Sequence, residues 1–284
     1  MHLEVEKDLL KSLLVMADVI EARDTYTGGH VWRVSQIARS LALEFGLSED
    51  KAVHVGIGGF LHDLGKVGIP DHILHKKGGL DANEFDVIKT HPLIGARLIE
   101  EHPLGAFVRD VILHHHERLD GKGYPEGLDG DALSLPSRII ALADAFDALT
   151  SVRPYHKGKT IDEAVSILTQ ASGSHFDPGL VAALQAARLR PSLVHVVGHS
   201  DEGIPLIDCP ACGSVFTVRR HTLDGDIVFC RACTGKMIMH KRGDTFDPEF
   251  THQTGAPRDV QPTPDMDVIK DFVARVPKEL EILP

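Results

Sequence analysis

The residues of this chain that could do chemistry fall into three groups. The first is a scatter of imidazoles and carboxylates: His30, the adjacent pair His62 and Asp63 in "FLHDLGKVGIP", His91 in "KTHPLIG", His115 and His116, and Asp144 in "RIIALADAFDAL". An imidazole beside a carboxylate can face one cation with it, and the second carboxylate oxygen can reach another cation. A mixed nitrogen and oxygen set without thiolate suits iron, manganese, nickel or zinc rather than calcium or magnesium. The second group is Cys209, Cys212, Cys230 and Cys233, two CxxC pairs separated by 17 residues. Four thiolates at that spacing match one tetrahedral structural zinc. A redox dithiol is the alternative use of such turns. The third group is "HHHERLDGKGYPEG", where three histidines lead into a glycine-rich loop that carries Tyr124.

Helices must position the first group. Leu3, Leu10, Leu13, Leu14, Ala17 and Ile20 give a leading helix one apolar side, suited to core packing or to pairing as a homodimer. "HVWRVSQIARSLALEFG" repeats Val31, Val34, Ile37, Ala38, Leu41 and Phe45 and stops at Gly46, a glycine helix end. The next helix opens at a Ser48 cap and ends near Gly65. Further helical patterns cover 82–101, 106–115, 135–150, 161–171 and 178–187, so the candidate ligands sit at or near helix ends. After Pro191 the texture changes to short β-branched runs punctuated by glycine, as in "GSVFTVRRH" and "GDIVFC". From about Gly243 a polar, proline-containing stretch reads as a loose linker, and "MDVIKDFVARV" as a short docking helix. The expected architecture is mainly α: a helical bundle over 1–190 that includes the leading helix 1–20. A small β zinc-ribbon-like module over 191–243 follows, then a linker with a short helix over 244–284.

Composition narrows the partners. With 284 residues, 43% of them hydrophobic, the chain can bury a sizeable core. A formal net charge of −11 argues against a duplex nucleic-acid binder, although "VRRH" and "MHKRG" are locally basic. No apolar run reaches membrane-span length, no secretory leader is visible, and the cysteines are confined to one module, so a cytoplasmic protein is expected.

Taken together, "RDTYTGGH", "HDLGKVGIPDHIL", "THPLIG", "HHERLDGKGYP" and "LADAFDALTSVRPY" closely resemble the HD-GYP family of cyclic dinucleotide phosphodiesterases. HD would be His62–Asp63, and GYP would be Gly123–Tyr124–Pro125; the resemblance runs from about residue 19 to 184. It implies a helical HD domain with a binuclear or trinuclear site, often iron, that hydrolyses cyclic di-GMP. By motif position, His30, His62, Asp63 and Asp144 would hold one metal. Asp63 would bridge to a second, held with His91, His115 and His116. His114 lies outside the paired-histidine motif. Trinuclear members carry a glutamate one helical turn before the position of His30, where this chain has Tyr26, so two metals are expected rather than three.

The expected chemistry is in-line attack on a phosphodiester by a hydroxide activated between two metals about 3.5–4 Å apart. His62, Asp63 and Lys66 form its catalytic core, with Lys66 also a point charge for the phosphate or, alternatively, a cation at a helix C-terminus. Tyr124 offers an aromatic face for a guanine, Gly123 lets the backbone approach closely, and Pro125 stiffens the turn. The alternative makes this loop a plain surface turn. Arg153 resembles a substrate-phosphate contact, with a surface arginine as its alternative, and Asp147 is a candidate for protonating the leaving oxygen. Products would be linear pGpG and GMP. Rival readings are a preference for mixed cyclic GMP–AMP, or a silent cyclic-dinucleotide receptor that signals to a protein partner through the zinc module.

Overall fold

The structure, a computed structural model, describes residues 2–24, 28–76, 78–152 and 158–276. Helix α1 (His2–Arg23) turns Leu10, Leu13, Leu14 and Ala17 into the core, each no more than 3% exposed. Helices α2 (His30–Glu44) and α3 (Glu49–Leu61) lie against each other, and Ser48 caps α3 by accepting a hydrogen bond from the Lys51 amide. A 3-10 turn (Leu64–Gly68) and the short α4 (Asp71–Leu74) follow.

The pattern over 82–101 is not one helix but two, α5 (Ala82–Ile88) and α6 (His91–Leu98). Pro92 explains the break: it has no N–H to give the Ile88 carbonyl, and its ring disfavours helical backbone at His91. That free carbonyl accepts from His91 Nδ1 at 2.8 Å instead. The same ground brings the "HD" turn close. A Cβ on Gly65 would stand 1.7 Å from the His91 carbonyl oxygen, so only glycine lets this turn lie on α6.

The bundle continues with α7 (Gly105–His114), α8 (Leu135–Thr150), α9 (Ile161–Gln170) and α10 (Pro178–Ala187). α9 is started by a Thr160–Glu163 capping box. "SLVH" reads as strand from its β-branched content, yet Pro191–Val194 is a helical turn, α11, with Pro191 in its first turn and Leu193 fully buried.

Strands β1 (His199–Asp201) and β2 (Ile204–Pro205) pair, as do β3 (Ile207–Asp208) and β4 (Val215–Phe216). A three-stranded antiparallel sheet joins β5 (Ile227–Phe229), β6 (Gly235–Arg242) and β7 (Thr245–Thr254) in that order. β7 corrects the reading of this stretch as a loose linker. Phe246, Pro248 and Phe250 alternate along one side of it, and as an edge strand it tolerates a proline within it. Helix α12 (Met266–Ala274) docks on α1, with Ile269 buried and Phe272 against Phe60 at 5.3 Å between ring centres.

Candidate metal centre

Three helix ends deliver histidines by one device. The last carbonyls of a helix have no intrahelical N–H partner. His62 Nδ1 gives its proton to the Gly59 carbonyl at 2.8 Å, His91 Nδ1 to Ile88 at 2.8 Å, and His115 Nδ1 to Ile112 at 3.0 Å, each three residues back. A carbonyl can only accept, so Nδ1 carries the proton and Nε2 keeps a bare lone pair. All three rings are 1% exposed.

Those lone pairs converge. His91 Nε2 and His115 Nε2 stand 3.1 Å apart, and His62 Nε2 is buried with no hydrogen-bond partner. Two acceptors in contact repel, and an orphaned buried nitrogen costs about 1–3 kcal/mol, so the arrangement suits a cation set among them. His116 joins the group, 5.0 Å from His91 and 4.1 Å from His115 between ring centres. Burial, reinforced by the neighbouring imidazoles, pushes His116 down to about 3 and His115 well below the usual histidine value. Burial likewise lowers His91. Neutral imidazoles are the form that binds metals.

His30 closes the other end. Its Nε2 lies 3.5 Å from both Asp63 Oδ2 and Asp144 Oδ1, while its Nδ1 faces Asp147 Oδ2 at 2.8 Å. Burial opposes a proton on this ring, but hydrogen bonds to Asp147 and Asp63 and the charges of Asp147 and Asp144 outweigh it and raise it to about 10. A metal cation there would neutralise the same carboxylates. Asp63 faces both ways, with Oδ1 3.4 Å from His91 Nε2 and Oδ2 3.3 Å from His62 Nε2. Ligand atoms of His30, His62 and Asp144 lie within 4.8 Å of one another, as do those of His91, His115 and His116 and those of His62, Asp63 and His115. The donors therefore fit two adjoining cation positions with Asp63 between them.

Lys66 Nζ sits 2.7 Å from Asp63 Oδ2 and 3.9 Å from Asp24 Oδ2. Burial works against its charge, but Asp63 and Asp24 hold its pKa above the usual lysine value. It is committed to carboxylates within the cluster. Asp147 corrects the sequence reading more sharply. It is 1% exposed and taken up by His30 and by Arg33, whose Nε and Nη2 lie 2.5 and 3.2 Å away. Burial raises its pKa, but Arg33 and His30 more than reverse that, so it neither faces solvent nor keeps a proton to give a leaving group. It orients His30. Tyr26 and Arg153 lie outside the described residues.

The glycine loop is anchored by a residue that the sequence reading passed over. Glu117, 2% exposed, accepts from the amides of Glu126 and Gly127 at 2.7 and 3.0 Å. Gly123 serves the protein rather than a ligand: a Cβ there would meet Glu117 Cα at 2.4 Å. Tyr124 thus lies over His116, 4.8 Å between ring centres, with Phe85 at its side at 6.4 Å, and Pro125 follows it through a cis bond. Burial, then the charges of Asp144 and Asp63, push the Tyr124 phenol up and keep it protonated. His114 turns away to Asp110 and Glu126.

In the β module the four cysteine sulfurs lie within 4.8 Å of one another, with Cys209 to Cys233 at 3.7 Å and Cys212 to Cys230 at 3.8 Å. A tetrahedron with zinc–sulfur bonds of about 2.3 Å has edges of about 3.8 Å, so the cluster fits zinc.

A helical bundle whose helix ends converge imidazoles and aspartates on one buried point defines a metal-binding domain of the HD type. A family model described as "HD domain" matches residues 14–180. The chain belongs to the HD-domain family, and its His62–Asp63 and Gly123–Tyr124–Pro125 motifs place it with the HD-GYP proteins. That membership implies binding of divalent metal. Over 190 residues the chain is 42% identical to the cyclic di-GMP phosphodiesterase response regulator RpfG of Xanthomonas campestris, covering 65% of this chain and 50% of that protein. It is 41% identical over 169 residues to the cyclic di-GMP phosphodiesterase PA4108 of Pseudomonas aeruginosa, covering 59% and 41%. It is 39% identical over 183 residues to the 3'3'-cGAMP-specific phosphodiesterase 2 of Vibrio cholerae, covering 64% and 34%. The chain spans half or less of the length of these relatives. Among the described residues no helix is long and apolar enough to cross a membrane.

Proposed function

We propose that this chain is a metal-dependent phosphodiesterase of the cytoplasm that opens cyclic di-GMP to linear pGpG, with GMP as a further product. The observation that carries the reading is the 3.1 Å approach of two imidazole nitrogens, His91 Nε2 and His115 Nε2, whose protons are already committed elsewhere. Relatives named as cyclic di-GMP phosphodiesterases support the substrate class. In this reading His30, His62, Asp63 and Asp144 hold one transition-metal ion, and Asp63, His91, His115 and His116 hold a second. Iron is the first choice, with manganese or nickel as alternatives, and the four cysteines hold one zinc.

Bound metal supplies positive charge for the phosphate oxygens and acidifies water at neutral pH. The protein's own part is placement. The Gly59, Ile88 and Ile112 carbonyls fix three rings in the donor tautomer, and Asp147 fixes a fourth. Lys66 holds Asp63 ionised. In this reading Tyr124 meets a purine while the phosphate lies at the histidines, which its position beside His116 on the Glu117-anchored loop supports. Arg153 keeps the phosphate contact that the family resemblance implies. A relative named as 3'3'-cGAMP-specific favours a second reading in which the mixed dinucleotide is the substrate.

Anaerobically purified protein, incubated with cyclic di-GMP and separately with 3'3'-cGAMP, tests both by chromatography of the products. Release of pGpG from the first alone supports cyclic di-GMP, and release only from the second selects the mixed substrate. Binding without product refutes catalysis. Asp63→Ala is expected to abolish turnover and deplete both helical metals while the cysteine-bound ion stays.

A further inference from the structure

One end of the histidine cluster is gripped from outside the helical bundle. Arg33, 2% exposed, spreads its guanidinium over Asp147 and gives Nη1 to two carbonyls, Gly28 at 2.8 Å and His199 at 3.0 Å. His199 belongs to β1 of the C-terminal module. The same module presses on the two residues that precede His30. A Cβ on Gly29, which has φ of +73°, would stand 2.5 Å from Ser200 Cα, and one on Gly28 would stand 2.9 Å from Thr217 Cγ2. A chain of contacts therefore runs from the module's backbone through Arg33 and Asp147 to His30 Nδ1.

At the other end of the cluster the fixing groups belong to the bundle itself. His62, His91 and His115 are each fixed by a carbonyl three residues back in the helical bundle.

We propose that the C-terminal β module is a positioning element for His30: the His199 carbonyl orients Arg33, Arg33 orients Asp147, and Asp147 aims His30 Nε2 at Asp63 and Asp144. This rests on reading His30 as a metal ligand. The cysteine cluster sits in the core of the module with Phe216 of β4, and Ile204 of β2, the partner strand of β1, packs on the same core, so loss of its order loosens β4 and, through β2, β1. The effect reaches one metal position and spares the other. Outer partners of a ligating histidine are typically worth 10–100-fold in metal affinity.

The test uses the full chain, stripped of metal and titrated with Mn(II) by calorimetry. His30→Ala and His116→Ala assign the two binding events in the helical domain. In the double variant Cys212→Ser/Cys233→Ser, and in Arg33→Ala, the event at the His30 end weakens about 10–100-fold and the other is unchanged. Arg33→Lys falls between, since an ammonium cannot fork to a carboxylate and two carbonyls at once. Thr217→Phe crowds Gly28 without touching the cysteines and replaces the cysteine pair if that variant fails to fold. A second readout needs no metal: the His30 Nδ1 proton, held by Asp147, gives a shifted imidazole resonance in the wild type that is lost in these variants. Equal weakening of both events overturns the proposal, as does an unchanged proton signal in the module variants. Wild-type protein that binds no Mn(II) at the histidines refutes the metal reading instead, and the proton signal then decides the positioning claim alone.

Discussion

His30, His62, His91 and His115 each have Nδ1 spent on the scaffold and Nε2 turned to the cluster, and that division decides what each residue can do. The types and order of His30, His62, His91, His115, His116 and Asp144 were legible in the sequence because each sits in a recognisable motif. Their partners were not, because three are backbone carbonyls, which no residue type announces. Asp147 was misread for a related reason: a carboxylate near a site looks available until its own partner, Arg33, is seen. Glu21 makes a titration prediction at this scale. It is buried and accepts from the Val31 amide; burial first, then the charge of Asp18, raises its pKa from 4.5 to about 8. The folded state therefore holds a proton that the unfolded state releases above about 4.5, so this group's contribution is full below that pH and is lost as pH rises towards 8. Glu21→Gln keeps an acceptor for Val31 and removes the titration. In urea unfolding between pH 5 and 9 the variant is expected to gain on wild type as pH rises, by on the order of a few kcal/mol at the alkaline end. A constant difference across that range would contradict the assignment.

At the scale of elements, helices with strong caps and clean periodicity were readable, as with α8 and α10. The single helix expected over 82–101 failed at Pro92, whose missing N–H was the local signal. β7 was missed because its polar residues alternate with only a few apolar ones on an edge strand, where little burial is needed to hold pairing with β6. The loop between α7 and α8 shows what composition cannot tell. Its glycines were expected to admit a ligand, yet Gly123 admits the backbone of Glu117. Glu117→Ala frees the Glu126 and Gly127 amides. Their hydrogen exchange should quicken about tenfold or more, in line with a lost hydrogen bond to a charged group, and KM for the dinucleotide should rise. Glu117→Gln, which retains an acceptor, should show much less of either. Unchanged exchange in the alanine variant would mean that the loop is held by something else.

Across the whole molecule, the C-terminal segments are not appendages hung on a bundle. α12 puts Ile269, Val268 and Phe272 into the main core, so residues far along the chain help to hold α1 and α3. Ile269→Ala should cost about 2–5 kcal/mol of stability, read from urea unfolding monitored by helical circular dichroism. A loss below about 0.5 kcal/mol would show α12 to be peripheral. The short helix itself was legible from its amphipathic pattern, but its seat was not, because docking depends on which face the fold leaves uncovered.

The central claim is that these helix ends build a two-ion centre, and anomalous scattering from crystals of anaerobically purified protein tests it most directly. Two transition-metal peaks are predicted, one among His30, His62 and Asp144 and one among His91, His115 and His116, each touching Asp63, with a separate zinc peak at the four cysteines. Peaks at the cysteines alone, with none among the histidines, would contradict the account.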